Sequence, residues 1–181
     1  MRVHGYRNTS LEDVLRESGV GKGNFYYYFR SKEELGYAIL DQIVESFLQR
    51  TLEPCFSDPD GHPLAQIGCF LDRVREIQRE RNCVGGCPLG NLAAEFADVH
   101  EGFRGRLDRV FSAWRERLTV ALAEAERRGE LCPCRPEAVA NFLVASIEGA
   151  MLMTKLTKDI GVMEQCVGEM KRYLSLYEVA R

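Results

Sequence analysis

The stretch Gly19-Val20-Gly21-Lys22-Gly23-Asn24-Phe25-Tyr26-Tyr27-Tyr28-Phe29-Arg30-Ser31-Lys32-Glu33-Glu34-Leu35 restricts this chain more than any other. It reads as a turn, a short helix, a break and a new helix. Gly19 follows the amphipathic run from Leu11 to Ser18 and can take the left-handed conformation that closes a helix. A short aromatic helix is expected from about Lys22 to Phe29. Ser31 with Glu34 three residues on has the capping-box pattern, so a third helix starts there and runs to about Leu52, where Pro54 ends it. Two helices joined by a tight glycine turn make a helix-turn-helix, whose second helix enters the DNA major groove.

Within the aromatic helix the faces have separate tasks. Phe25 and Phe29, four residues apart, are expected to pack inward. Lys22 and Asn24 lie at its N-terminus, the part of such a helix that meets base edges; Lys can donate to guanine and Asn can pair with adenine. Gly23 allows close backbone approach. Three consecutive tyrosines cannot all point inward, so part of the cluster is surface: Tyr26 and Tyr28 carry hydroxyls suited to phosphate, and Tyr27 offers both a ring for a thymine methyl and a hydroxyl. Thr9 with Glu12, or Ser10 with Asp13, supplies the cap of the preceding helix, and that helix N-terminus can also receive a phosphate.

Taken together, Thr9-Ser10-Leu11-Glu12-Asp13-Val14, Gly19-Val20-Gly21-Lys22-Gly23, Phe25-Tyr26-Tyr27-Tyr28-Phe29 and Lys32-Glu33-Glu34-Leu35 resemble the DNA-binding domain of TetR-family regulators. The pattern covers roughly the first quarter of the chain. Gly21 stands where the family usually has Ser, and Asn24 where it often has Thr. The family's first helix normally precedes Gly5-Tyr6; Met1–His4 are what remains of it here, with Met1 and Val3 its apolar part. This leaves two expectations: a start further upstream, or a head that is mobile without DNA. The resemblance implies an all-α homodimer, a ligand-released repressor with an N-terminal helix-turn-helix head and a C-terminal helical body that binds ligand and dimerises. It makes Lys32 a phosphate contact and adds Thr9 and Ser10 to the DNA-binding set.

Charge is consistent with such a head. Of 24 bases and 27 acids in the chain, residues 1–32 hold six bases (Arg2, Arg7, Arg16, Lys22, Arg30, Lys32) and three acids (Glu12, Asp13, Glu17). A basic head on an acidic body localises attraction for phosphate at one end. The 181 residues suffice for a small domain plus a medium one, and the loop Ser57-Asp58-Pro59-Asp60-Gly61-His62-Pro63 places the division near residue 50. The expected domains are 1–50 and 51–181. No run long and apolar enough to span a bilayer is read from the sequence, and no signal region opens it, so a cytoplasmic protein without membrane partners is expected. Seven cysteines, an odd number, favour reduced thiols over a disulfide framework.

Beyond residue 60, further helices are expected at about Leu64–Arg81, Leu92–Val99, Glu101–Arg128, Glu137–Lys158 and Val162–Tyr177. Between the first two lies Asn82-Cys83-Val84-Gly85-Gly86-Cys87-Pro88-Leu89-Gly90-Asn91, read as a loop. The helix from Glu137 is apolar nearly all round, hence buried on several sides. In the family the last two helices form a four-helix dimer interface, which here implicates Ile147, Gly149, Ala150, Met170, Tyr173 and Leu174. Phe70, Phe96, Phe111, Trp114, Phe142 and Met151 are candidates for contact with an apolar or aromatic effector; the same residues would equally make a helical core.

Cys83 and Cys87 raise other readings. Structural zinc needs four ligands, and no His stands at ligand spacing, so no metal or cofactor is expected. A thiol switch is open, because a helix N-terminus lowers a thiol pKa and some TetR-family members with a similar Gly-Cys-Pro-Leu-Gly-Asn segment carry cysteine sensors there. A buried structural Cys is the plainer alternative. Glu95 and Glu148 are acids on otherwise apolar helices, either lining a pocket or exposed. No catalytic motif is found, so an enzyme is not expected. A protein-interaction module with a non-functional head is the remaining competitor.

Overall fold

The structure is a computed structural model and describes residues 5–58 and 60–179. Met1 and Val3, the expected remnant of a first helix, lie outside the described residues. The elements are all helical: α1 (Leu11–Ser18), α2 (Lys22–Tyr28), α3 (Lys32–Phe47), a π-helical turn (Leu48–Leu52), α4 (Glu53–Phe56), α5 (Pro63–Glu80), α6 (Pro88–Phe96), α7 (Glu101–Arg127), α8 (Pro136–Thr157) and α9 (Ile160–Ser175). Among the described residues there is no strand, only an isolated antiparallel bridge between Leu131 and Glu178.

Local chemistry sets the boundaries in the head. Ser10 caps α1 by accepting from the Asp13 N–H, and the Asp13 side chain accepts from the Ser10 N–H, completing a capping box. Gly19 closes α1 at φ 69°, in the left-handed region where glycine carries no steric penalty. Ser31 caps α3 through the Glu34 N–H.

Contrary to the sequence expectation, Pro54 does not end this helical path. The chain widens into the π turn and continues as α4 to Phe56. Pro54 has no N–H to offer the turn before it, and the Arg73 side chain donates to the Arg50 carbonyl at 3.3 Å. A helix that begins at the head therefore reaches the body without a break.

α5, α7, α8 and α9 pack around one large core that includes Phe70, Trp114, Leu118, Leu143, Ile147 and Met163. A second, smaller core of Leu40, Leu89, Phe96, Phe103 and Leu107 lies where α3, α6 and α7 meet, with Tyr6 and Tyr37 packed against it. Phe96 stacks on Phe103 with ring centroids 4.2 Å apart. Gly36 of α3 is required there: a side chain at that position would collide with Tyr6 and Phe103.

Two expectations are corrected in the body. α8 spans 22 residues and reaches a mean hydropathy of 1.3, so by length and composition it could cross a bilayer. One side of it serves the fold, since Val139, Leu143, Val144, Ile147 and Met151 are buried in the main core. The expectation of reduced thiols also fails at one pair. Cys55 on α4 and Cys69 on α5 form a disulfide, their Cα atoms 5.6 Å apart where the two helices turn back on each other. The other five cysteines are free.

Candidate nucleic-acid interface and effector cavity

α2 presents one buried side chain, Phe25, and an otherwise open surface. Phe29 is half-buried, its ring 5.6 Å from Phe25. Lys22, Gly23 and Asn24 are exposed at the N-terminal end, and no side chain caps the helix there. Tyr26, Tyr27 and Tyr28 are 49%, 80% and 67% exposed, with Tyr27 and Tyr28 edge to face at 4.9 Å. Large aromatic rings left in water on consecutive positions indicate a surface that something else covers.

Thr9 and Lys32 are committed elsewhere in this structure. Thr9 is buried, and its hydroxyl donates to the Gly5 carbonyl at 2.7 Å, so Ser10 alone acts as cap. The Lys32 ammonium donates to the Tyr6 carbonyl at 2.7 Å and sits 4.2 Å from the Tyr6 ring centroid. Both residues hold the segment that leads into α1.

That segment is fastened to the body through Glu95 on α6. Its carboxylate accepts from the Tyr6 N–H at 3.0 Å and the Arg7 N–H at 2.9 Å. The Tyr6 hydroxyl donates to the Lys32 carbonyl at 2.9 Å, and its ring meets Phe96 edge to face at 5.1 Å. In the sequence Glu95 stands out only as an acid on an apolar helix; its partners are 88 and 89 residues away and no local pattern announces them.

The cavity that concerns the head lies against α3. Of about 640 Å³, it is walled by Ile43 and Phe47 of α3, Thr51 of the π turn, Gln78 of α5, Trp114 of α7 and Met151 of α8. A neighbouring space of about 450 Å³ shares Ile39, Ile43 and Pro88 with it and reaches Tyr6 and Glu95. A third groove, about 670 Å³, runs between the α4–α5 connection and α7 but touches no residue of α3. A smaller hollow of about 260 Å³ also touches α3 and the π turn, at Val44 and Leu48. The first cavity has the stronger mechanical claim because it is the larger of the two and includes Thr51 of the π turn, a feature that recurs at functional sites and here continues the head's own helix.

The six aromatic and sulfur candidates separate. Trp114 and Met151 line the cavity. Phe70 is fully buried in the main core and Phe96 belongs to the smaller one. Phe111 is half-buried and stacks on Trp114 at 5.8 Å. Phe142 is 45% exposed on the outside of α8, packed against Tyr173 at 4.6 Å. Of the six, only Trp114 and Met151 reach the cavity.

The interface candidates divide similarly. Ile147, Ala150, Met170 and Leu174 are buried in the subunit's own core and are not free to meet a partner. Gly149 is exposed and Tyr173 half-buried. The outward face of α8 is instead Phe142, Ala145, Gly149, Leu152, Met153 and Leu156, with Leu152 and Leu156 61% and 74% exposed.

Cys87 caps α6, its sulfur accepting from the Gly90 N–H at 3.3 Å, and Pro88 occupies the first helical position. α6 thus begins four residues earlier than the glycines and proline suggest. The lowering expected from a helix N-terminus is present, through the Leu89 and Gly90 N–H groups, but it is outweighed. Burial, with the neighbouring Glu148 adding to it, pushes the thiol up and favours its protonated form. Burial likewise raises the Glu148 carboxyl, with the Cys87 hydrogen bond opposing it in part. Gly90 makes room for that carboxylate, which a side chain would strike. Cys83 is buried at φ 59°. Among the described residues no group of three or more His, Cys, Asp or Glu is placed to hold a metal ion.

Comparison with known proteins agrees with this architecture. Residues 1–50 match the family described as bacterial regulatory proteins, tetR family, and residues 63–169 match the tetracyclin repressor-like C-terminal domain. The chain belongs to the TetR family of transcriptional regulators. It is 35% identical over 88% of its length to an uncharacterised HTH-type transcriptional regulator of Lactococcus lactis, covering 80% of that protein. It is 32% identical over 84% of its length to the transcriptional regulator AcuR of Cereibacter sphaeroides, covering 69% of it. Among solved structures, a TetR regulator from Chloroflexus aurantiacus superposes with a TM-score of 0.88 at 28% identity, covering 99% of this chain and 90% of that one. The reduced form of Escherichia coli NemR gives 0.80 at 26%, covering 92% and 86%. As a TetR-family regulator the protein binds DNA through its helix-turn-helix, which is α1 and α2 here.

Proposed function

We propose that the protein is a homodimeric repressor that leaves its operator when a small molecule enters the cavity against α3. The placement of that cavity carries the reading: α3 and its π turn, which run unbroken from the head, form one of its walls. An occupant there displaces the helix, changes the separation of two heads, and loses the match to half-sites about 34–36 Å apart or a multiple of that. Two relatives are named transcriptional repressors, DhaR of Mycobacterium sp. at 28% identity and NemR of Escherichia coli at 27%. The head takes residues 1–50, and the body takes the rest together with the dimer contact.

In this reading Lys22 and Asn24 read bases while Ser10, Tyr26, Tyr27 and Tyr28 contact phosphate and sugar, with Gly23 permitting close approach. Thr9 and Lys32 act indirectly, by holding the segment that leads into α1. The dimer is made by the outward face of α8 with Tyr173. Genomic fragments selected by the purified protein should contain a shared palindromic site. On that site Lys22→Ala and Asn24→Ala should each cost about 1–3 kcal/mol at the matched base pair and broaden the preference. Tyr28→Phe should weaken all sequences alike. Unchanged preference in both alanine variants would remove α2 from the recognition role.

A further inference from the structure

α5 points its buried stripe inward through Ile67, Phe70, Leu71, Val74 and Gln78. Four members are apolar and the last is an amide. Gln78 has no exposed surface, yet neither its Nε2 nor its Oε1 has a hydrogen-bond partner. Trp114, 1% exposed, has an unpartnered indole N–H. Both residues belong to the wall of the cavity against α3. Each buried, unpaired polar group costs about 1–3 kcal/mol, so native proteins keep few of them, and these two on one wall are donors that an acceptor in the cavity would satisfy.

We infer that this cavity takes an uncharged, carbonyl-bearing ligand with an apolar body, its oxygen accepting from the Gln78 amide and the Trp114 indole; this rests on the cavity being the effector site. Trp114 only donates, so the ligand must present an acceptor, and a carbonyl oxygen has lone pairs for both donors. The Gln78 oxygen remains free to accept from a ligand N–H, which makes a carboxamide the best-matched group. Charge decides against an ionised ligand. The charged lining residues Glu45, Arg50, Glu80 and Arg81 are exposed at the rim, and Arg73 is already paired with Glu80 and the Arg50 carbonyl. The buried lining residues Thr51, Val74, Leu89 and Met151 carry no charge. A carboxylate or ammonium carried to that floor would lose its hydration without a counter-charge. Both polar groups are closed off from water, so the ligand reaches them only as the wall opens, and the π turn is part of that wall.

Four molecules of one shape test this on the full chain: benzamide, isopropylbenzene, benzamidinium and benzoate. Trp114 is the only tryptophan, so its emission reports occupancy of the site directly. Benzamide should bind and shift the emission to the red, and Gln78→Leu should weaken it at least tenfold while leaving isopropylbenzene unchanged or tighter. Trp114→Phe, followed by thermal shift, should weaken benzamide in the same selective way and serves if the leucine variant folds poorly. Benzamide indifferent to both substitutions, or either ion binding more tightly than benzamide, overturns the inference while leaving the cavity as effector site. Failure of all four to bind overturns the cavity reading as well.

Discussion

Single residues in this protein act over long sequence distances, and Glu148 turns such a placement into a dependence on pH. Its carboxyl is buried against Cys87 and Gly90, and burial raises its pKa above the ordinary 4.5. Below pH 4.5 folded and unfolded chains are both protonated there, and the contribution to stability is complete. As pH rises past 4.5 the unfolded chain ionises first, so stability falls until the pH passes the folded-state value. Glu148→Gln removes that loss. Urea melts at pH 5 and pH 8 should show the variant gaining on the parent at pH 8, with Gly90 untouched; an equal difference at both values would place the Glu148 carboxyl in water. Glu95 and Glu148 stand out in the sequence as acids on apolar helices, but their partners lie on other elements and are not legible there. Gln78 gives no signal in the sequence, because one amide on an apolar stripe looks like a tolerated polar residue until both its atoms are seen to lack partners.

At the scale of elements, periodicity and caps place the helices well, since apolar spacing and capping chemistry are local. Errors arise where an end depends on tertiary contact. Pro54 reads as a stop, yet Arg73 and the π turn carry the helix past it. Glycines 85 and 86 read as part of a loop extending to Asn91, yet Cys87 and Pro88 start α6. Helical spacing also cannot say which of several apolar faces of α8 meets its own subunit. The structure separates them, and the dimer test uses the outer one. Leu152→Glu should dissociate the dimer in sedimentation and leave the helical melt intact, whereas Ala150→Glu should lower the melting temperature of the subunit itself by burying an unpaired charge. A dimer surviving Leu152→Glu would move the interface off α8.

The disulfide belongs to the same scale. Cys55 and Cys69 are 14 residues apart and tie α4 to α5. Closing a loop of that size contributes about 3 kcal/mol through the unfolded chain. Cys69→Ser, or reduction of the parent, should therefore lower the melting temperature by several degrees, and reductant should have no effect on the variant. A parent insensitive to reductant would show that the bond makes no such contribution. The sequence points the other way because an odd count of seven cysteines says nothing about which two come together.

For the whole molecule, the decisive relation is between a thinly packed head and a well-packed body. Of residues 5–30 only Thr9 and Phe25 are buried, whereas α7 and α8 contribute Trp114, Leu118, Leu143 and Ile147 to the main core. Backbone amides in α1 and α2 should accordingly exchange much faster than those in α7 and α8. What orders the head is its attachment: Glu95 accepts from the Tyr6 and Arg7 N–H groups, Lys32 holds the Tyr6 carbonyl and ring, and Gly36 lets that ring lie against Phe103. Hydrogen bonds to a charged acceptor contribute about 1.5–3 kcal/mol each, so Glu95→Ala should release this segment without disturbing the α7–α8 core. Exchange at Tyr6, Arg7 and α1 should rise further, and protection of α8 should stay as it is. Operator binding should weaken on the order of tenfold, because DNA must then order a freer head, about 1.4 kcal/mol of added entropic cost. Preference among operator sequences should not change, since α2 keeps its surface. Exchange in α1 identical to that of the parent would show that the head is held by α3 alone and not by Glu95 of α6.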